Sequence, residues 1–301
     1  MKSLTTSRFL RLIKAREKEK AAQSRYNTAC SYRATYNSFS EFISEKQYLR
    51  NKVNETIIME YSIWLKGRGL LKNTISFYMR VLRATWNANK IPGNPFMNVF
   101  TGYEVTQKRS LEEDTVAKIG QTDFASDKAL DFTKDLFLFS IGTCGMSFVD
   151  IANLQKTDCK DGYINYVRSK TGQSLRVKVE DGILSIISKW KAEESSPYLF
   201  PILTHLKGSE EAFREYTSAL RSFNLNLKKL GSEVGCTTLS SYYARHTWAT
   251  TAQNCLVPTS VISSCLGHSN ENITRVYLAG LKGEVMADAN KRVLQRLRLN
   301  R

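Results

Sequence analysis

Over the first third of the chain, apolar positions recur every three or four residues in four runs separated by polar or glycine-containing breaks. Phe9, Leu10, Leu12 and Ile13, set amid basic residues, predict a helix over Ser7–Ala22. Tyr32, Tyr36, Phe39, Phe42 and Ile43 predict a second over Ser24–Ser44. A third starts after Asn54, a residue type suited to capping, carries Ile57, Ile58, Tyr61, Trp64 and Leu65, and stops at Gly67 and Gly69. A fourth runs from Asn73 through Ile75, Tyr78, Met79, Leu82 and Trp86 until IPGNP (Ile91 to Pro95) breaks it. These aromatic residues read as core. The opposite faces carry Arg33, Arg68, Arg80 and Arg83.

Thr101 to Asp114 is polar and helix-poor, as a domain junction is, which divides the chain into residues 1–105 and 106–301. Ser110 followed by Glu112 and Glu113 reads as a capped helix start. Beyond it the pattern mixes. Asp131 to Gly142 is an apolar helix, and Asp161 to Val179 alternates about Thr171-Gly172 as a hairpin does. Phe213, Tyr216, Leu220, Phe223, Leu227 and Leu230 step by three and four along one helix face. Near the C-terminus, Val285, Met286, Ala289, Val293, Leu294 and Leu297 share another. The fold class is therefore mainly α with a small β-sheet or hairpin, in two domains.

Composition narrows the partner. With 301 residues, 42% of them apolar, the chain can fill two cores. It has no membrane-length apolar run, and its charged N-terminus lacks a secretory h-region, which predicts a cytoplasmic protein with no membrane partner. The formal net charge is +16, of which +13 falls within residues 1–110. Such asymmetry points to a polyanion, with the N-terminal part devoted to phosphate contacts and the four arginines as candidates for DNA binding. The cysteines (Cys30, Cys144, Cys159, Cys236, Cys255 and Cys265) show no C-x-x-C pair, and with only three histidines no metal site is expected. They read as reduced buried thiols.

Three motifs follow one another. Lys170 precedes the Thr-Gly turn of the hairpin; SSYYARHTWATTA (Ser240 to Ala252) places Arg245-His246 on a helix; and LGHSNENITRVY ends with His268 nine residues before Tyr277. In order and spacing these resemble the tyrosine recombinase (phage integrase) family, with its hairpin lysine, H-x-x-R-H box and L-G-H-S…Y box. The likeness covers the whole chain, since GRGLLKNTISFYMRVLRATWNAN resembles the family's SAM-like core-binding domain. It implies a two-domain, C-shaped clamp on double-stranded DNA, with an α+β catalytic domain after the helical one. It also implies a homotetramer assembled on DNA from free monomers, passing through a Holliday junction, with room for a host DNA-bending protein.

The resemblance assigns roles that the chemistry supports. Tyr277 is the nucleophile, forming a 3′-phosphotyrosine and releasing a 5′-hydroxyl. Its phenol has an ordinary pKa of about 10 and needs surrounding positive charge. Arg245 offers a planar fork to the non-bridging oxygens. Lys170 protonates the leaving 5′-oxygen as general acid, and His268 assists proton transfer or donates to the phosphate. The bond energy stays in the phosphotyrosine, so no cofactor is expected.

Two positions depart from the pattern. The family's first arginine aligns with Ser147 in TCGMSFVDI, where Asp150 matches the acidic residue, and the H-x-x-R histidine is replaced by Tyr242. A serine supplies neither charge nor fork. These departures resemble the integrases of conjugative transposons and related mobile elements. Arg168 is the candidate surrogate cation, because residues two apart on a strand share a face and it should point with Lys170. The function implied is site-specific recombination for integration, excision or inversion of DNA. Its rivals are type IB topoisomerase-like relaxation and a catalytically impaired DNA-binding accessory protein.

Overall fold

The structure, a computed structural model, describes residues 4–104, 109–268 and the isolated positions 270, 271, 274 and 291. Tyr277 and the apolar positions from Val285 to Leu297 lie outside the described residues. Two compact units make up the chain, Met1–Thr106 and Gln107–Arg301.

The first unit is four helices: α1 (Thr6–Ala22), α2 (Tyr26–Glu45), α3 (Glu55–Gly67) and α4 (Lys72–Ala88). Asn54 caps α3, its Oδ1 accepting the Ile57 amide at 3.0 Å. The periodic apolar positions meet in one core built on rings. Phe39 and Tyr61 pack edge to face with centroids 5.0 Å apart, and Phe9 meets Trp86 at 5.8 Å. The Trp86 indole N–H donates to the Gly93 carbonyl at 2.9 Å, so the segment that breaks α4 is tied back to it.

The second unit runs α5 (Glu113–Gln121), α6 (Lys128–Gly142), α7 (Phe148–Ala152), β1 (Cys159–Lys160), β2 (Tyr163–Val167), β3 (Ser174–Lys178), α8 (Asp181–Trp190), α9 (Glu210–Glu233), α10 (Ser241–Asn254) and α11 (Thr259–Cys265). Helices α6, α8, α9 and α10 share a core with the sheet, in which Phe139 meets Phe200 edge to face at 5.0 Å and Phe148 stacks on Phe223 at 4.5 Å. The sheet is antiparallel in the order β1-β2-β3. Asp161 and Gly162, both at positive φ, make the two-residue turn between β1 and β2.

Several expectations need correction. Ser110 caps no helix. The Leu111 amide is taken by Thr247 Oγ1 at 2.9 Å, and α5 starts two residues later with Glu112 at its N-cap. Helix α6 starts one turn earlier than its apolar run, because Asp127 caps it by accepting the Ala129 and Leu130 amides. Thr171-Gly172 sits within a longer loop, Arg168 to Gln173, closed by the Arg168 amide on the Gln173 carbonyl at 2.8 Å. None of the six thiols is fully buried: Cys30 and Cys255 are exposed and the others half-buried. Among the described residues, no helix is long and apolar enough to cross a membrane.

Candidate active site

Arg245 is planted on α10 with 4% of its surface exposed, an unusual depth for a guanidinium. Small neighbours make this burial feasible. Gly145, at φ +69°, lies so close that a Cβ there would come within 2.8 Å of the Arg245 Cα. Two carbonyls then orient the fork. Nη1 donates to the Gly145 oxygen at 2.9 Å, and Nη2 donates to the Leu266 oxygen just past α11.

Nη2 also lies 3.1 Å from His268 Nε2. A guanidinium can only donate, so Nε2 is the acceptor and the ring proton sits on Nδ1. Nδ1 accordingly donates to the buried Thr274 Oγ1 at 2.8 Å. Burial, followed by the charges of Arg245, Arg168 and Lys170, holds the imidazole far below its ordinary range, at about 3. His268 is therefore neutral at physiological pH, bonded to Arg245 and within the field of Arg168 and Lys170.

Arg168 comes to this place from the end of β2. Burial alternates along the strand, with Ile164 and Tyr166 inward, and Arg168 continues that face at 5% exposure. Lys170, however, is exposed. The strand ends at Val167, so its period no longer applies by residue 170, and the two side chains do not share a face. Arg168 Nη1 donates to the Gly267 carbonyl, which also accepts Thr171 Oγ1 at 3.1 Å. Its buried Nε has no acceptor, and no carboxylate pairs with it among the described residues. Gly267, at φ +60°, makes room: a Cβ would meet Leu175 Cδ1 at 2.9 Å and Arg168 Cδ at 3.0 Å.

Ser147 is the N-cap of α7, where its Oγ donates to Asp150 Oδ2 at 2.6 Å. The other oxygen, Oδ1, accepts the Ser169 amide at 2.8 Å. Buried Asp150 thus ties the serine that aligns with the family's arginine to the residue between Arg168 and Lys170. Tyr242 is exposed on the first turn of α10, its ring edge-on to His246 at 4.9 Å.

Four contributors were not singled out from sequence. Tyr166 faces inward two residues before Arg168, and burial raises its phenol well above the ordinary range, with Asp150 adding to the effect and both arginines opposing it. Its position on the buried face of the alternating strand was the available signal. The approach of Gly145 and Gly267 to the two arginines leaves no local sequence mark. Lys207 Nζ reaches Ser169 Oγ at 3.4 Å from a loop that Glu215 pins, accepting the Thr204 and His205 amides at 2.9 and 3.1 Å. Against the opposing effect of burial, the Thr204 hydroxyl, which donates to the same carboxylate at 2.6 Å, together with these two amides holds the Glu215 carboxyl at about 2.

The four candidate DNA-contacting arginines of the first unit fall into two kinds. Arg33 pairs with Glu17 at 2.7 Å and Arg68 with Glu41 at 2.6 Å. Arg80 instead lies 4.0 Å over the Tyr103 ring, and Arg83 donates to Thr101 Oγ1 at 2.7 Å. Neither of these two has a carboxylate partner among the described residues. Also among the described residues, no group of three or more His, Cys, Asp and Glu side chains is arranged to hold a metal ion.

Residues 109–284 match the phage integrase family, and residues 8–93 match the phage integrase SAM-like domain. No curated protein matches the chain. The solved Tn1549 transposon integrase, in complex with transposon right end DNA, aligns over 96% of this chain and 99% of that one, with 15% identity and a TM-score of 0.61. A lambda integrase tetramer bound to a Holliday junction aligns over 93% and 80%, with 14% identity and a TM-score of 0.66. At these identities the two likenesses show a shared fold.

Proposed function

The chain belongs to the phage integrase family, the tyrosine-type site-specific DNA recombinases, and on that premise we propose how its residues cut and rejoin DNA. Tyr277, three residues along the chain from the Thr274 that holds His268, attacks the scissile phosphate. The 3′-oxygen side of the break stays on the protein as a phosphotyrosine, and the 5′-oxygen leaves.

Arg245 holds the non-bridging oxygens, and Arg168 takes the place of the arginine that Ser147 replaces. The observation that carries this reading is that Arg245 meets the His268 ring while Arg168 is buried beside it on the Gly267 carbonyl, with a buried Arg168 donor left without an acceptor. Buried cations need a counter-charge, and a phosphate supplies both charge and lone pairs. Lys170, exposed on its loop, protonates the 5′-oxygen. His268, uncharged and accepting from Arg245, orients the fork and has a lone pair for a proton once phosphate engages Arg245. Tyr242 and Ser147 contribute hydrogen bonds without charge.

DNA is the partner, gripped through its phosphates by the basic first unit, with Arg80 and Arg83 ahead of the ion-paired Arg33 and Arg68. Four copies assemble on DNA from free monomers, with a host DNA-bending protein assisting. The topoisomerase-like and binding-only readings are not favoured.

Arg168→Ala tests the surrogate directly. Cleavage is expected to fall about 10²–10³-fold, the usual loss for one preorganised donor, while DNA binding holds. Unchanged cleavage would remove Arg168 from the mechanism.

A further inference from the structure

The loop that carries Lys170 is tied inward to the buried cluster. Arg168 and Thr171 donate to the Gly267 carbonyl, Gln173 Nε2 donates to the His268 carbonyl at 3.3 Å, and the Ser169 amide donates to Asp150. Ser169, Lys170 and Thr171 themselves stand exposed. A further contact reaches this exposed stretch from another loop, where Lys207 Nζ lies 3.4 Å from Ser169 Oγ.

The chain just before Lys207 is clamped from two sides. Glu215 on α9 accepts the Thr204 and His205 amides and, at 2.6 Å, the Thr204 hydroxyl. The phenol of Tyr198, 1% exposed, donates to the His205 carbonyl at 2.7 Å. Lys207 follows two residues later with no carboxylate partner among the described residues. An ammonium without a counter-ion is thus held against the residue next to Lys170. It has three donors, so the Ser169 hydroxyl leaves two for another acceptor. Two like charges brought this near to each other call for an anion, and a DNA phosphate is the anion this protein meets.

We propose that Lys207 is a positioning residue for strand cleavage: it bridges the Ser169 hydroxyl to a DNA phosphate beside the scissile one and so fixes the hairpin loop where Lys170 reaches the leaving 5′-oxygen. The inference rests on the reading of Lys170 as general acid. In that step the P–O5′ bond breaks, its electron pair stays on the oxygen, and the oxygen takes the Lys170 proton. Lys207 touches no reacting atom and acts through Ser169. Asp150 and Gly267 hold the loop to the protein, and Lys207 holds it to the DNA. A misplacement of about 1 Å can cost about 10² in rate, part of the about 10²–10⁴ that a general acid supplies.

The experiment measures covalent protein–DNA adduct on a nicked suicide substrate, made once with the ordinary 5′-oxygen at the scissile phosphate and once with sulfur in its place. Sulfur leaves as a thiolate without taking a proton, so it reports whether a loss lies in the general-acid step. On oxygen, Lys207→Ala should lose about 10–10²-fold and Lys207→Arg should recover most of that loss. Ser169→Ala should also lose activity, and the Lys207→Ala/Ser169→Ala double variant should be no worse than the poorer single one, because the two act as a unit. On sulfur, the Lys207→Ala loss should shrink to within about 2-fold. A loss of equal size on both substrates, no loss on oxygen, or additive losses in the double variant would overturn the positioning role. Lysine acetylation of wild type with and without the duplex, mapped by mass spectrometry, needs no cleavage. DNA should shield Lys207, and equal labelling would overturn the phosphate contact. Absence of adduct from wild type on both substrates is the separate failure of the recombinase reading, and the labelling then decides the contact by itself.

Discussion

A histidine that titrates far below its ordinary range makes a measurable demand on stability. His268 is held at about 3 in the native protein against an ordinary value of 6.5. Between those values the unfolded chain binds a proton that the native state refuses, so stability falls as pH drops from about 6.5 towards 3 and is fully present above 6.5. From pH 7 to pH 5 the loss is on the order of 1–2 kcal/mol. Urea denaturation of wild type against His268→Gln checks it: the wild type should lose ground over that interval, and the variant should not. The glycines make a second demand. Gly145→Ala forces a Cβ against the Arg245 backbone at a left-handed φ, so it should destabilise the protein by about 1–3 kcal/mol and lower cleavage more than binding. Thermal melts and adduct yields read the two effects separately. At this scale the sequence was a partial guide. The motif residues Arg245 and His268 meet in one buried cluster. The cation at 168 joins them, although not by sharing a strand face with Lys170, since β2 ends before its period could reach that residue. The interactions that seat these residues, through Gly145, Gly267, Thr274 and Leu266, depend on segments far apart in sequence and have no local signature.

Elements carry the site residues to one another, and two tethers do so for the hairpin loop. Asp150 on α7 holds the Ser169 amide, and Lys207 meets the Ser169 hydroxyl from the loop before α9. On α4, Arg80 and Arg83 present charge that no carboxylate among the described residues offsets, while Arg33 on α2 and the residue capping α3, Arg68, are already paired. Removing Arg80 and Arg83 together should weaken DNA binding about equally across sequences and flatten the slope of log affinity against log salt by about 0.9 for each phosphate no longer neutralised. Removing Arg33 and Arg68 together should do less. Salt titrations of binding decide between them. Long periodic helices and the hairpin were legible because their period survives over several turns. Helix α7 is five residues long, too short for a period to show. Helix α8 did have one, in Ile183, Ile187 and Trp190, all of them buried. The start of α5 was misplaced because a tertiary hydrogen bond, Leu111 to Thr247, outweighed a local capping pattern.

For the molecule as a whole, two chemistries are distributed along the chain. The basic excess lies in the first unit and Tyr277, the proposed nucleophile, late in the sequence of the second, so binding and cleavage should separate cleanly under mutation. The central claim is that Tyr277 acts as nucleophile in a site where Ser147 has replaced an arginine and Arg168 has taken over its charge. The most direct test is a suicide DNA substrate nicked beside a crossover site, with denaturing gels scored for covalent protein–DNA adduct in wild type, Tyr277→Phe and Arg168→Ala. The account predicts an adduct from wild type, none from Tyr277→Phe and a loss of about 10²–10³-fold from Arg168→Ala, with all three proteins shifting the same DNA on native gels. No adduct from wild type that binds this DNA, or an undiminished one from Tyr277→Phe, would contradict it.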